Sequence, residues 1–198
     1  MAKYENIRAL AKKQLQTVTE SSDRWKEFLR TAAIAYNYSF PNQLLIYAQN
    51  PTATAVADMD YWNKNAGRRV KRGAHGTAVF DTRANSPRLR YLFDISDTIP
   101  IHEISEALPW AVTDQNWKPV WDKIIVDNHA DSIQSALLMI STSYVAQRSA
   151  MFTTALEKAV DGSSLQWAKP NEQRRLFLQI VTQSCLYMAA LRCGVDTA

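Results

Sequence analysis

The chain has 198 residues, 46% of them apolar and 21% charged, with 23 Lys plus Arg against 19 Asp plus Glu for a formal net charge of +4. That length suits one domain, or one domain with a helical appendage, and excludes both a large multidomain machine and a disulfide-stapled miniprotein. The ordinary apolar share supports a packed core, while five Gly and seven Pro argue against a turn-rich barrel or a low-complexity chain, so helices should dominate.

Tyr4, Ile7, Ala11, Leu15 and Val18 recur at steps of three and four, which predicts a first amphipathic helix. Ser21-Ser22-Asp23 offers an N-cap for a second, with Trp25, Phe28, Leu29, Ala32, Ala33 and Tyr36 at helical spacing. Pro41 suits the first turn of a third helix, Asn42 to Gln49, which Asn50-Pro51 ends. Ala53 to Ala57 then reads as a short buried strand, and Asp58 caps a brief helix through Tyr61 and Trp62 that Asn65-Ala66-Gly67 closes. Arg69 to Gly73 alternates weakly, Thr77 to Asp81 is a better strand, and Asn85-Ser86-Pro87 is a turn. Arg88 to Ile95 alternates Leu89, Tyr91 and Phe93 against Arg88, Arg90 and Leu92, predicting strands with a basic outer face. Pro100, Pro109 and Pro119 mark Ile99 to Pro119 as a connecting stretch. Beyond it, Asp131 caps a long helix with Ile133, Leu137, Ile140, Tyr144, Met151, Ala155 and Ala159 on one stripe, stopped by Gly162. Pro170 opens a last helix with Phe177, Ile180, Val181, Ser184, Met188 and Leu191 on one face, ended by Gly194.

Charge is distributed unevenly. Residues 1–98 hold 15 basic and 9 acidic residues, whereas residues 99–198 hold 8 and 10. Lys64, Arg68, Arg69, Lys71, Arg72, Arg83, Arg88 and Arg90 face a single acid, Asp81, giving +7 within 27 residues. Interleaved Tyr61, Trp62, Phe80, Tyr91 and Phe93 give this run the composition of a nucleic-acid surface, although a solvated basic face with most of those aromatics in the core has the same composition. His102-Glu103-Ile104-Ser105-Glu106 begins like a zinc-peptidase helix but lacks the second His, so no metal site is expected. No phosphate-cradling glycine loop occurs; Arg72-Gly73-Ala74-His75-Gly76 reads as a hairpin turn in which Gly73 and Gly76 supply positive φ, the alternative being that the tight turn also lets backbone N–H groups and Arg72 approach a phosphate. No cofactor and no catalytic constellation is read. Cys185 and Cys193 would lie about 12 Å apart on one helix and stay reduced. With neither a signal peptide nor a run of 18 apolar residues, a reducing cytosol is the expected setting, with no membrane contact.

Several blocks together resemble a known module: Trp25-Lys26-Glu27-Phe28-Leu29, Tyr38 through Pro51, Thr54-Ala55-Val56-Ala57, Trp62, Arg68 through Gly73, Gly76, Ala78-Val79-Phe80-Asp81 and Tyr91-Leu92-Phe93-Asp94. This pattern is similar to the N-terminal region of the very large helicase and DNA-methylase proteins of Firmicutes conjugative elements and phages. That region in turn resembles the N-terminal single-stranded-DNA-binding domain of ArdC-like antirestriction proteins. The likeness spans roughly residues 20–98, and Leu191-Arg192-Cys193-Gly194-Val195-Asp196 resembles the end of the helical segment that follows in those proteins. It implies a nucleic-acid-facing module in which Asn42, Gln43, Tyr47, Trp62, Arg68, Arg69, Lys71, Arg72 and Gly73 match the shared pattern. None of the enzymatic motifs of those proteins is present.

The expected fold is therefore α+β: N-terminal helices with a small antiparallel sheet in residues 1–98, a connecting stretch over 99–121, and a helical segment over 122–198 that packs on the first part or forms a second subdomain. The expected function is non-enzymatic binding of DNA, single-stranded by preference, in a mobile element, through Lys64, Arg68, Arg69, Lys71, Arg72, Gly73, Arg83, Arg88 and Arg90 with Asn42, Gln43, Tyr47 and Trp62. The alternative is an inhibitor of host defence, of anti-CRISPR or antirestriction type, acting on a nuclease complex or its DNA. A third reading gives the C-terminal helices a homodimerisation role.

Overall fold

The computed structural model describes residues 2–84, 86–101 and 112–197. These residues form eight α-helices, a three-stranded antiparallel sheet and a two-stranded antiparallel sheet, an α+β architecture. The chain divides into two units, Met1–Trp110 and Ala111–Ala198. Among the described residues no helix is long and apolar enough to cross a membrane.

The first unit opens with three helices, α1 (Ala2–Val18), α2 (Ser22–Ile34) and α3 (Phe40–Gln49). The Ser21 hydroxyl accepts from the Arg24 amide at the start of α2, satisfying a donor that the helix itself cannot pair. Pro41 sits in the first turn of α3, where no backbone N–H is required, and the Asn50 amide closes the other end on the Ile46 carbonyl.

Strands β1 (Val56–Asp58), β3 (Thr77–Phe80) and β4 (Leu89–Asp94) form the larger sheet in the order β1-β4-β3, with Ala57 opposite Phe93 and Val79 opposite Arg90. Leu92 and Val79 pack with Leu45, Ile46, Ala35 and Ala53, and Ile7, Leu10 and Ala11 of α1 close over that cluster. Phe93, the next residue in β4, packs instead with Ala55, Trp62 and Ala66. The end of β4 is thus covered on both sides. This corrects the expectation of a basic outer face, because Leu92 and Arg90 point toward the helices and only the start of the strand and Tyr91 meet solvent.

The first strand begins at Val56, not Ala53, for a specific reason. The buried Asp94 carboxylate accepts from the backbone N–H groups of Thr54 (2.7 Å), Ala55 (2.9 Å) and Ser96 (3.0 Å), so two residues expected in the strand donate to a side chain instead of a ladder. Burial by itself would raise the Asp94 pKa, but these N–H groups hold it below the ordinary carboxylate value. Asp58 caps α4 (Met59–Lys64) by accepting from the Tyr61 amide at 2.9 Å.

The smaller sheet pairs β2 (Arg68–Val70) with β5 (Thr98–Pro100), which follows a single 3-10 turn, Ile95–Asp97. The stretch expected to be a plain connection from residue 99 therefore begins as a strand, and its Lys71–Asp97 and Ile101–Gly67 backbone bonds extend the ladder at both ends. Asn85 of the expected turn at Asn85-Ser86-Pro87 lies outside the described residues, as do the whole of the His102–Glu106 pattern and Pro109.

The second unit contains α5 (Trp117–Asp127), α6 (Ile133–Gln147), α7 (Ser149–Ala159) and α8 (Pro170–Arg192). Ile133, Leu137, Ala190, Cys193 and Val195 form its core, with Trp121, Ile124, Ile125, Leu186 and Ala189 packed around it. Trp121 also donates its indole N–H to the Cys193 carbonyl at 2.7 Å. Both cysteines are free thiols whose pKa is pushed up by burial. The expected helix from Asp131 to Asp161 is in fact two, divided at Arg148, and its cap is Ser132, whose hydroxyl accepts from the Ser135 amide. Helix α5 begins five residues earlier than the expected segment because Pro119 lies in its first turn, where proline starts helices rather than breaking them.

Candidate nucleic-acid interface

The eight cations between Lys64 and Arg90 divide into two groups by their partners. Arg90 and Arg83 converge on Asp58 at 3.4 and 3.8 Å, and Arg83 also reaches Asp81 at 3.3 Å. Arg90 is half-buried with its guanidinium 5.7 Å from the centre of the Tyr38 ring. The Arg83 backbone N–H holds the Asp81 carboxyl below its ordinary pKa, with the Arg83 guanidinium adding to the effect, so Asp81 stays ionised and the pair persists. Two arginines and two carboxylates thus cancel beside the larger sheet.

Arg68 is likewise committed: its Nε donates to the Thr98 hydroxyl at 2.6 Å and its side chain is half-buried. Lys64 pairs with Asp60 across one helical turn at 3.4 Å, with both side chains in water, where such a pair holds only weakly. Arg69, Arg72 and Arg88 are exposed and make no ion pair among the described residues. Lys71 is exposed and donates one of its three N–H groups to the Ser96 carbonyl at 2.7 Å, which leaves two donors for a ligand.

Register explains how these residues come together. Alternate residues of a strand point to opposite faces. Arg68 and Val70 of β2 turn inward, with Val70 packed against the Trp62 cluster. Arg69, directly opposite Ile99, turns outward, and Lys71, opposite Asp97, falls on the same face. Ile99 is 39% exposed and Ile101, opposite Gly67, is 47% exposed. The outer face of this ribbon therefore carries Arg69 and Lys71 in one row and Ile99 and Ile101 in the other, with Asp97 at one corner. Arg72 and Gly73 follow immediately in the turn. Gly73 takes φ of +84°, a left-handed conformation that a side chain would strain, and a Cβ there would meet nothing within 4 Å. Gly76 differs from expectation: its φ is not positive, and it is required because a Cβ would sit 2.9 Å from the Tyr91 Cβ and 3.0 Å from the Phe93 ring.

The remaining site residues expected from the sequence are structural. Asn42 is 2% exposed, and its amide accepts from the Phe80 N–H and donates to the Phe80 carbonyl, both at 2.9 Å. Gln49, seven residues further along α3, does the same to Ala78 at 3.0 and 2.9 Å. Two side-chain amides thus pair with the free edge of β3 as a neighbouring strand would. Sequence reading singled out Asn42 and missed Gln49; their spacing of two helical turns was the available signal. Trp62 is 3% exposed and donates its indole N–H to the Phe93 carbonyl at 2.9 Å. Gln43 donates to the Ala35 carbonyl at 3.0 Å. The Tyr47 hydroxyl donates to Glu27 at 2.9 Å; partial burial and that bond to Glu27 raise its pKa. Asn42 and Trp62 are removed from any surface a ligand can touch.

Among the described residues no group of three His, Cys, Asp or Glu is placed to hold a metal ion. In the second unit a cavity of about 270 Å³ is lined by Val112, Thr113, Asp114, Trp117, Trp121 and Gly194, a set that contains one carboxylate and neither thiol nor imidazole. No family model, no curated protein and no solved structure matches the chain.

Proposed function

We propose that the chain is a non-enzymatic DNA-binding protein of a mobile element, and that DNA lies along the outer face of the β2–β5 ribbon and the turn after it. One observation carries this reading. Arg69, Lys71 and Arg72 are consecutive or alternate residues, all exposed and free of carboxylate partners among the described residues, on a strand anchored by the Arg68–Thr98 bond and by Val70 in the Trp62 cluster, and on the turn that follows it. A cation already neutralised by a carboxylate displaces no counterion from a polyanion unless it first gives up that partner, whereas an exposed unpaired one displaces a counterion at each phosphate contact. The resemblance of Arg68 through Gly73 to the ArdC-like pattern supports the same segment.

Five phosphate contacts, one for nearly every cation of the basic run that reaches the surface, would give a log affinity–log salt slope of about −3.5 on single-stranded DNA, and the three strongest candidates alone about −2. Fluorescence polarisation with a labelled oligonucleotide across a salt series measures this slope. The variant R69E/K71E/R72E should lose at least a hundredfold in affinity at moderate salt. Unchanged affinity in that variant, with the fold intact by circular dichroism, would refute the assignment.

A second reading rests on a different observation. Leu138, Met139, Ile140 and Tyr144 of α6, a helix with no charged residue, and Met151 of α7 are exposed, and Trp167, in the turn between α7 and α8, is 87% exposed. Such apolar surface suits contact with a protein, in this reading a host defence nuclease; it does not suit mimicry of DNA, which requires ordered acids. Retention of the chain by a guide-loaded nuclease in the absence of DNA would favour this inhibitor over a plain DNA binder.

A further inference from the structure

The second unit holds a cavity of about 270 Å³ between α5 and the end of α8, lined by Val112, Thr113, Asp114, Trp117, Trp121 and Gly194. We propose that it binds a methylated ammonium group, with the Trp117 and Trp121 indoles as walls and the Asp114 carboxylate as counter-charge. The two rings stand 4.9 Å apart, centre to centre, and are inclined at 66°, so they form two sides of a corner. Trp121 is fixed by the core around Ile133 and Cys193 and by its indole bond to the Cys193 carbonyl at 2.7 Å. Trp117 is 41% exposed and lies outside that core. Asp114 is exposed and makes no ion pair among the described residues. The turn that carries it is pinned: the Thr113 N–H donates to the Asn116 side chain at 2.7 Å, and the Asn116 and Trp117 N–H groups donate to the Thr113 carbonyl at 3.1 and 2.9 Å.

This lining suits a soft cation. An indole face carries the negative part of the ring's quadrupole, so a cation within about 6 Å of its centre is attracted, most strongly where water is excluded. Asp114 adds a full negative charge. Gly194, two residues beyond the end of α8, sets one wall at the carbonyl end of a 23-residue helix, where the helix dipole also favours positive charge. Neither Lys118 nor Arg192, the cations nearest in sequence, lines the cavity, and Lys118 pairs with Asp122 at 3.1 Å. The same charges disfavour an anion, so this site is separate from any contact with DNA. A bare ammonium would bring three N–H donors that indole faces and Val112 cannot satisfy, and the Thr113 hydroxyl already accepts from the Gln115 N–H at 3.3 Å. Methyl groups need no acceptor and pack against the rings. The volume lies just under the range of about 300–1,000 Å³ that whole ligands occupy, which fits one head group whose remainder extends past the exposed Trp117. Gly194 preserves this shape: its φ is +64°, and a Cβ there would come within 3.2 Å of the Val112 Cγ1.

Titration of the full chain with choline, followed by the indole N–H signals of Trp117 and Trp121 in proton–nitrogen NMR spectra, tests this. Choline should shift both signals saturably. The uncharged alcohol with carbon in place of the choline nitrogen has the same shape and should bind about tenfold more weakly. Trp117→Ala, read at the Trp121 signal, should weaken choline binding about tenfold. Asp114→Asn keeps the shape and should weaken choline several-fold while leaving the alcohol unchanged, a difference that a disturbed fold would not produce. A peptide carrying one trimethyllysine, titrated beside choline, identifies the source of the group. Tighter binding of the peptide assigns the site to a methylated protein side chain, and equal or weaker binding assigns it to a free ammonium compound. Equal affinity for choline and the alcohol, unchanged choline affinity in Asp114→Asn, or no saturable shift with either choline or the peptide overturns the proposal.

Discussion

The two sheets of the first unit treat their exposed polar groups in opposite ways. In the three-stranded sheet one edge and two cations are closed to an outside partner: Asn42 and Gln49 pair with the edge of β3, and Asp58 and Asp81 absorb the charge of Arg90 and Arg83. An unprotected strand edge invites pairing with another chain, and two amide side chains remove that hazard without a fourth strand. In the two-stranded ribbon the inward row is equally fixed, with Arg68 on Thr98 and Val70 in the Trp62 cluster, yet the outward cations Arg69 and Lys71 make no ion pair among the described residues. The +7 basic run is therefore not one surface. Arg83 and Arg90 form an ion-pair cluster with Asp58 and Asp81, whereas Arg69, Lys71, Arg72 and Arg88 are exposed and make no ion pair among the described residues.

Replacing the ribbon's cations, as in R69E/K71E/R72E, is the largest expected effect on binding. The largest expected effect on stability belongs to the closed sheet. Asp94→Ala leaves three backbone N–H groups without their acceptor, two of them donated by the segment that leads into β1, and should cost about 3 kcal/mol or more in denaturant unfolding. Its pH dependence has a definite sign. The folded carboxyl titrates below the ordinary value, so its contribution is complete above about pH 4 and is lost as pH falls through the folded pKa. Asp94→Asn should flatten the acid limb of the stability profile below about pH 4; an acid limb as steep as that of the parent would show that Asp94 is not its source.

Next in size, Asn42→Ala orphans the Phe80 N–H and carbonyl at a buried strand edge and should cost about 2–3 kcal/mol. Gln49→Ala should cost less, because Gln49 is more exposed and water can replace it at Ala78. DNA affinity should be unchanged in both once folded protein is compared, since neither amide reaches the ribbon face. A loss of affinity in folded Asn42→Ala would break the division between the closed sheet and the open ribbon.

Much of this architecture was legible in the residues. The caps at Ser21 and Asp58, Pro41 at the start of α3, and the α+β class all follow from local chemistry that acts within a few residues. What was not legible depends on residues far apart in the chain. The Arg90 side chain reads as an outer-face cation until Asp58, 32 residues earlier, is brought beneath it. Asn42 reads as a polar surface residue until β3 arrives 38 residues later. Strand β5 is too short to show a period, and exists because β2 offers it a partner. In the second unit α6 has no charged residue and its apolar residues are spread around the helix, so periodicity could not choose between the stripe through Ile140 and Tyr144 and the buried one through Ala136, Ser141 and Val145.

The smallest expected effect gives the sharpest comparison, because it asks two exposed arginines of the same run to behave differently. Arg83→Gln removes a cation that is already paired with Asp81 and Asp58, and an exposed pair of this kind stabilises by well under about 1 kcal/mol. It leaves two carboxylates with less positive charge to face, so phosphate contact in this region gains nothing from the change. Arg69→Gln removes a cation with no carboxylate partner among the described residues, and should make the salt slope on single-stranded DNA shallower by about 0.7, one contact's worth. The slope for Arg83→Gln should stay within error of the parent. Equal shifts in both variants would mean that DNA draws Arg83 away from its carboxylates, and the contact surface would then extend from the ribbon across the β3–β4 side of the sheet.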